Sequence, residues 1–220
     1  MRPMNVGVLA SGSGTNLQAL LDAQAAGGLL PARIVVVGVN VAGCGALARA
    51  TRAGVPTFVV DHRSFRGDAP SRTSEPTDRE GFDRALAAAL GTHQVDLVVL
   101  AGFMRILTPV FLAAFPERVI NIHPSLLPAF PGVRAQAQAV DYGVKLTGCT
   151  VHFVEDGVDS GPIIAHAAVA TRDDDDAESL RLRILAAEHV LLPAAVRAIA
   201  EGRVTIDGRR VKVAPPNPNP

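Results

Sequence analysis

Apolar residues fall in short, dense runs separated by glycine, proline and polar clusters. Met4 to Ala10, Arg33 to Val39, Thr57 to Val60, Val95 to Ala101 and Val119 to His123 are almost continuously aliphatic. Runs of that length and character predict strands buried on both faces, as in a parallel sheet. Between them, apolar residues recur at helical spacing and predict helices over Asn16 to Ala26, Gly45 to Ala53, Arg79 to Leu90 and Pro109 to Ala114. Strand–turn–helix repeated in this way predicts right-handed crossovers between parallel strands. His62 to Thr77 breaks the pattern, being rich in Arg, Ser, Asp and Pro, and is expected to be an exposed loop or insertion.

After His123 the character changes. Pro124, Pro128 and Pro131 punctuate a rigid loop, and Ala135 to Tyr142 is expected to be helical. Gly148 to Val154 and Pro162 to Val169 predict two strands joined by a turn at Glu155 to Gly161, a hairpin. Asp173 to Asp176 reads as the cap and solvated start of a long helix, Ala177 to Glu201, since acidic groups suit the positive end of a helix dipole. Val204 to Val213 predicts a small hairpin around Asp207-Gly208. The expected fold class is α/β: a mostly parallel, Rossmann-like twisted sheet flanked by helices, with an antiparallel C-terminal portion. One domain is expected over 1–214, with a disordered tail over 215–220.

Composition narrows the function. A chain of 220 residues suits one domain, and 48% apolar residues supply its core. Aromatics are only 4%, so Val, Leu, Ile and Ala do most of the packing. With 21 basic residues against 21 acidic, no nucleic-acid partner is expected. Cys44 and Cys149 lie far apart and are expected to be buried free thiols in a reducing compartment. The start of the chain does not read as a signal peptide and no apolar run is long enough for a membrane span, so a cytoplasmic location is expected.

Two segments carry candidate chemistry. Gly12-Ser13-Gly14-Thr15-Asn16 follows a strand and opens a helix. Helix N-termini bind anions, and glycine lets backbone approach a phosphate. The third glycine of a dinucleotide fingerprint is missing, and no Gly-Lys-Ser/Thr of a P-loop follows. The second segment is Asn121-Ile122-His123-Pro124. Asn121 and His123, two apart on a strand, share a face, and Pro124 ends the ladder just beyond them. That places both at the carboxyl end of a strand, where open α/β sheets bind ligands. A histidine moves protons and an amide donates to a developing oxyanion, so the pair suits acyl transfer, but spacing alone also fits a structural Asn and a buried His. Asp159, in Asp156-Gly157-Val158-Asp159-Ser160-Gly161, is either turn chemistry or a carboxylate orienting His123. No Gly-x-Ser-x-Gly nucleophile occurs, and the six histidines show no zinc spacing, so no metal is expected.

With these segments in place, the chain resembles the folate-dependent glycinamide ribonucleotide formyltransferases, from about Asn5 to Glu201. The resemblance is carried by Ala101-Gly102-Phe103-Met104-Arg105-Ile106-Leu107, Asn121 to Pro128, Val151-His152-Phe153-Val154, and Asp159-Ser160-Gly161-Pro162. It implies transfer of a formyl group from 10-formyltetrahydrofolate to the amine of glycinamide ribonucleotide, by direct amine attack and a tetrahedral intermediate. It implies a catalytic trio of Asn121, His123 and Asp159. It further implies a ribonucleotide site at Gly14, Thr15, Asn16, Arg79 and Glu188, and a folate site at Met104, Arg105, Ile106, Leu107, Val154 and Asp156. Arg134 stands where the family usually carries a His, Leu185 where some members place a Gln, and the 62–77 stretch is longer than usual. The expected partners are the two small-molecule substrates, in a monomer or homodimer. Two alternatives remain: a formyltetrahydrofolate hydrolase, which normally carries an N-terminal regulatory domain, and a non-catalytic nucleotide-binding module of the same fold. A tRNA-formylating relative would need a basic RNA surface and a further C-terminal domain.

Overall fold

A computed structural model describes residues 3–65 and 78–216. In chain order its elements are β1 (Met4–Ala10), α1 (Thr15–Ala25), β2 (Ala32–Val39), α2 (Gly45–Arg52), β3 (Thr57–Val59), a 3-10 turn (His62–Phe65), α3 (Arg79–Gly91), β4 (Leu97–Leu100), α4 (Pro109–Ala114), β5 (Val119–His123), α5 (Ala135–Tyr142), β6 (Leu146–Phe153), β7 (Ile163–Ala170), α6 (Ala177–Ala200), β8 (Val204–Asp207) and β9 (Arg210–Val213). Seven strands form one sheet in the order β3-β2-β1-β4-β5-β6-β7, and β8 and β9 form a separate hairpin. The pairs from β3 to β5 are parallel, whereas β6 runs antiparallel to both β5 and β7.

The aliphatic runs became strands because both faces of the sheet are covered. Helix α1 buries Leu17, Leu20 and Leu21, and with α2 and α6 it packs over one face. Helix α3 buries Phe82, Leu86 and Leu90, spaced by four, and packs with α4 over the other. The acidic run before α6 does cap it: the Asp176 carboxylate accepts from Ser179 N–H at 2.7 Å, and Ser179 Oγ accepts from Asp176 N–H at 3.1 Å. Pro193 lies inside α6 without ending it, its side chain buried in the core.

Three expectations need correction. The strand expected from Val95 begins at Leu97, because Asp96 turns its carboxylate back to accept from Asn5 N–H at 2.9 Å. His62 to Phe65 is not exposed loop but a packed 3-10 turn. His62 is buried and donates Nδ1–H to Asn40 O at 2.8 Å, and Phe65 meets Phe82 edge-on at 5.7 Å. Of the two thiols, Cys149 is buried but Cys44 is only half-buried, at the N-cap of α2. Residues 66–77 and 217–220, which fall within the expected loop and tail, lie outside the described residues.

Candidate active site

Strand order decides where a site can form. β1 sits between β2 and β4, so the connections leaving β1 and β4 diverge to opposite sides. The crevice at such a switch point is where open α/β sheets take ligands. The glycine turn leaves β1 there, and the 101–107 segment leaves β4 beside it. Ser11 joins them, donating N–H to Gly102 O at 3.1 Å and accepting from Met104 N–H on Oγ at 2.8 Å. A cavity of about 190 Å³ opens between them, lined by residues 11–16 with Ala101, Gly102 and Met104.

Gly14 is the N-cap of α1 with φ 73°, and a Cβ there would meet Ala46 Cα at 2.6 Å. Only glycine fits that conformation and that approach. It caps with no side chain, so the first N–H groups of α1 stay open. On the far side of the turn, Asn16 donates Nδ2–H to Glu188 Oε2 at 2.8 Å. Burial holds the Glu188 carboxyl above its usual range, although Asn16 and Arg181 pull the other way. Cys149 is close enough to feel the same charge; burial first, and Glu188 second, push its thiol up to about 12, so it stays an unreactive core residue.

The trio does converge. Asn121 and His123 share one face of β5, and Asp159 meets them from the turn between β6 and β7. Asp159 Oδ2 lies 3.1 Å from His123 Nδ1 and accepts from Gly132 N–H at 2.7 Å. The residue sits at φ 50°, a left-handed conformation that asparagine and aspartate tolerate better than most. Asn121 Nδ2 has two long contacts, 3.3 Å to His152 Nε2 and 3.5 Å to Asp159 Oδ1. His123 Nε2–H donates to Phe130 O at 2.8 Å, so both its ring nitrogens are engaged. Burial draws its pKa below the ordinary value, against the opposing pull of the Asp159 carboxylate and the Phe130 carbonyl. For Asp159, burial works upward, but His152, the Gly132 N–H and His123 outweigh it and leave the carboxyl below its usual range.

His152 was not singled out as a site residue by its sequence. It stands opposite Asn121 in the β5–β6 register, with Nδ1 2.8 Å from Phe153 O and Nε2 3.3 Å from Asn121 Nδ2 and 3.6 Å from Asp159 Oδ1. Thr150 is also essential to the geometry. It stands opposite His123, donates Oγ1–H to Ser125 O at 2.6 Å and accepts from Leu127 N–H at 3.0 Å, so β6 anchors the loop after β5.

The expected folate residues are divided by burial. Met104 and Ile106 are exposed beside the crevice, while Leu107 is buried with Phe103 in the core. Val154 is half-buried and donates N–H to Val119 O at 2.8 Å. Arg105 is held by His62, whose Nε2 accepts from Nη2 at 3.2 Å. Asp156 is exposed, in the same turn as Asp159. Arg79 donates Nη2–H to Ile106 O at 3.1 Å, on the 104–107 segment. Arg134 is an exposed residue at φ 60°, serving as the N-cap of α5.

An imidazole–carboxylate pair beside a loosely held amide, on β5, with β4 between it and the strand that leads to an open helix N-terminus, has the make-up of an acyl-transfer site in a doubly wound α/β enzyme. Residues 4–196 match the formyl transferase family. A phosphoribosylglycinamide formyltransferase of Mycobacterium tuberculosis is 48% identical over 207 residues, covering 94% of this chain and 90% of that protein. The crystal structure of glycinamide ribonucleotide transformylase 1 from Symbiobacterium toebii superimposes with a TM-score of 0.87 at 52% identity, covering 96% of this chain and 94% of that one. A formyltetrahydrofolate deformylase from Pseudomonas syringae superimposes at 0.84 with 30% identity, covering 96% of this chain but 66% of that one. The chain belongs to the phosphoribosylglycinamide formyltransferases.

Proposed function

We propose that this enzyme transfers the formyl group of 10-formyltetrahydrofolate to the amine of glycinamide ribonucleotide, in the cytoplasm. The observation that carries the mechanism is the 3.1 Å contact between Asp159 and His123, with Asn121 alongside. The ribonucleotide phosphate lies on the open N–H groups at Gly14, Thr15 and Asn16, and Glu188 receives the ribose hydroxyls. The folate lies along Met104, Arg105, Ile106 and Leu107, with the Val154 to Asp159 turn closing over it. Arg79 belongs with this second group, since it braces the Ile106 carbonyl.

The amine nitrogen attacks the formyl carbon, and a C–N bond forms as the formyl oxygen takes negative charge. Asn121 meets that oxygen, exchanging its long contacts for a shorter one. Asp159 enters the reaction ionised, takes the proton from the attacking nitrogen, directly or through a water, and is neutral until it gives that proton up. His123, anchored through Nε2–H to the Phe130 carbonyl, stands 3.1 Å from the Asp159 carboxylate and fixes its position. The bond to folate N10 then breaks, the proton returns to N10, and tetrahydrofolate leaves. Nothing in this sequence needs a side-chain nucleophile or a metal.

Hydrolysis, with water in place of the amine, is the second reading, supported by the likeness to the deformylase. Identity favours transfer, because the chain is 48% and 52% identical to the two formyltransferases but 30% identical to the deformylase. Folate absorbance followed with glycinamide ribonucleotide and with water alone separates them. Release of tetrahydrofolate at the same rate without the ribonucleotide would overturn the transferase assignment.

A further inference from the structure

Helix α2 lies against the glycine turn closely enough that a Cβ on Gly45 would meet Ser13 O at 2.8 Å. Two consecutive carbonyls of the turn are tied to that helix. Ala46 donates N–H to Gly12 O at 3.0 Å. Arg49, one position short of a turn further on, donates Nε–H to Ser13 O at 2.9 Å, and its Nη1 donates to Gln18 Oε1 on α1 at 3.0 Å. A trans peptide points its C=O and the following N–H in opposite directions. Fixing the Gly12 and Ser13 carbonyls towards α2 therefore turns the Ser13 and Gly14 N–H groups away from it. Among the described residues, no hydrogen bond takes up the N–H groups of Ser13, Gly14, Thr15 or Asn16. The same turn lines the 190 Å³ cavity at the switch point.

We propose that Arg49 is the positioning residue of this turn, locking the Ser13–Gly14 peptide so that the Gly14 N–H, beside that of Ser13, meets the phosphate of the ribosyl substrate. It also places a fixed positive charge behind them. The inference rests on the turn being the phosphate site. Arginine suits the task, since one planar fork bridges Ser13 on the turn and Gln18 on the helix that follows. A lysine at 49 reaches one of these partners but not both.

Initial-rate kinetics of the full chain test this with Arg49→Ala, Arg49→Gln and Arg49→Lys, each assayed with glycinamide ribonucleotide and with the unphosphorylated riboside. Losing a charge-assisted contact is expected to raise KM for the ribonucleotide about tenfold or more in Arg49→Ala and Arg49→Gln. The Arg49→Lys variant should fall between these and the wild type. Turnover, KM for formyl-folate and kcat/KM for the riboside should stay near wild-type values. An unchanged ribonucleotide KM in Arg49→Ala and Arg49→Gln overturns the proposal and leaves the phosphate site standing. So does an equal loss on the riboside, which would mark Arg49 as merely structural. A wild-type enzyme that accepts both substrates equally overturns the phosphate site, and the role of Arg49 with it.

Discussion

Asp159 is the residue on which the site turns, because it touches His123, Gly132 and Asn121 at once. Replacing it with Asn, or His123 with Ala, is expected to lower kcat about 100-fold or more, the usual range for a general acid–base group. Near-normal turnover in both variants would remove them from the mechanism. Glu188 offers a test by pH. Its folded pKa is raised by burial, so the folded state holds a proton that the unfolded chain releases. Stability is then full below the unfolded glutamate pKa and falls as pH rises towards the folded one. Glu188→Gln should therefore raise the melting temperature at pH 8 and change it little at pH 4, while weakening ribonucleotide binding. A melting temperature lowered equally at both pH values would argue against it. At this scale the sequence was partly legible. A spacing of two put Asn121 and His123 on one face, but it could not decide between a site and a structural pair. His152 escaped notice because its place depends on a strand register with no local signature.

Among the elements, those with a strong period were readable almost to their ends: β1, α4, β5 and α5 begin and end where the apolar pattern does. The 3-10 turn at His62 was not, since its polar neighbours masked two residues that pack inward. The face covered by α3 depends on Phe82, and Phe82→Ala should cost about 3–5 kcal/mol of stability, read as a lower urea midpoint. A loss well under 1 kcal/mol would mean that the face repacks freely. The tie between β6 and the loop after β5 is more local. Thr150→Val keeps the shape but leaves the Ser125 carbonyl and the Leu127 N–H without their partner. That should cost about 1–3 kcal/mol and lower kcat as His123 shifts. If stability falls with kcat intact, the loop does not set the catalytic geometry.

For the molecule as a whole, sequence indicated a parallel sheet and an antiparallel end but not the strand order, which is set by packing of distant segments. That order puts the departures of β1 and β4 side by side. Arg79 donates to the Ile106 carbonyl, and on the proposal that the folate lies along that segment Arg79→Ala should raise KM for formyl-folate more than for the ribonucleotide; the reverse pattern would return it to the phosphate. The seam at Ser11 has a thermodynamic consequence. Its N–H and Oγ stitch the turn proposed to receive one substrate to the segment proposed to receive the other. Tightening either wall tightens its neighbour, so each ligand should change the affinity of the other. Linkage requires that factor to be identical in both directions. Titrating a non-reactive folate analogue with and without ribonucleotide, and then the reverse, should return a single cooperativity constant. Ser11→Ala should bring it towards unity, while a constant already at unity in the wild type would mean the two walls are energetically independent.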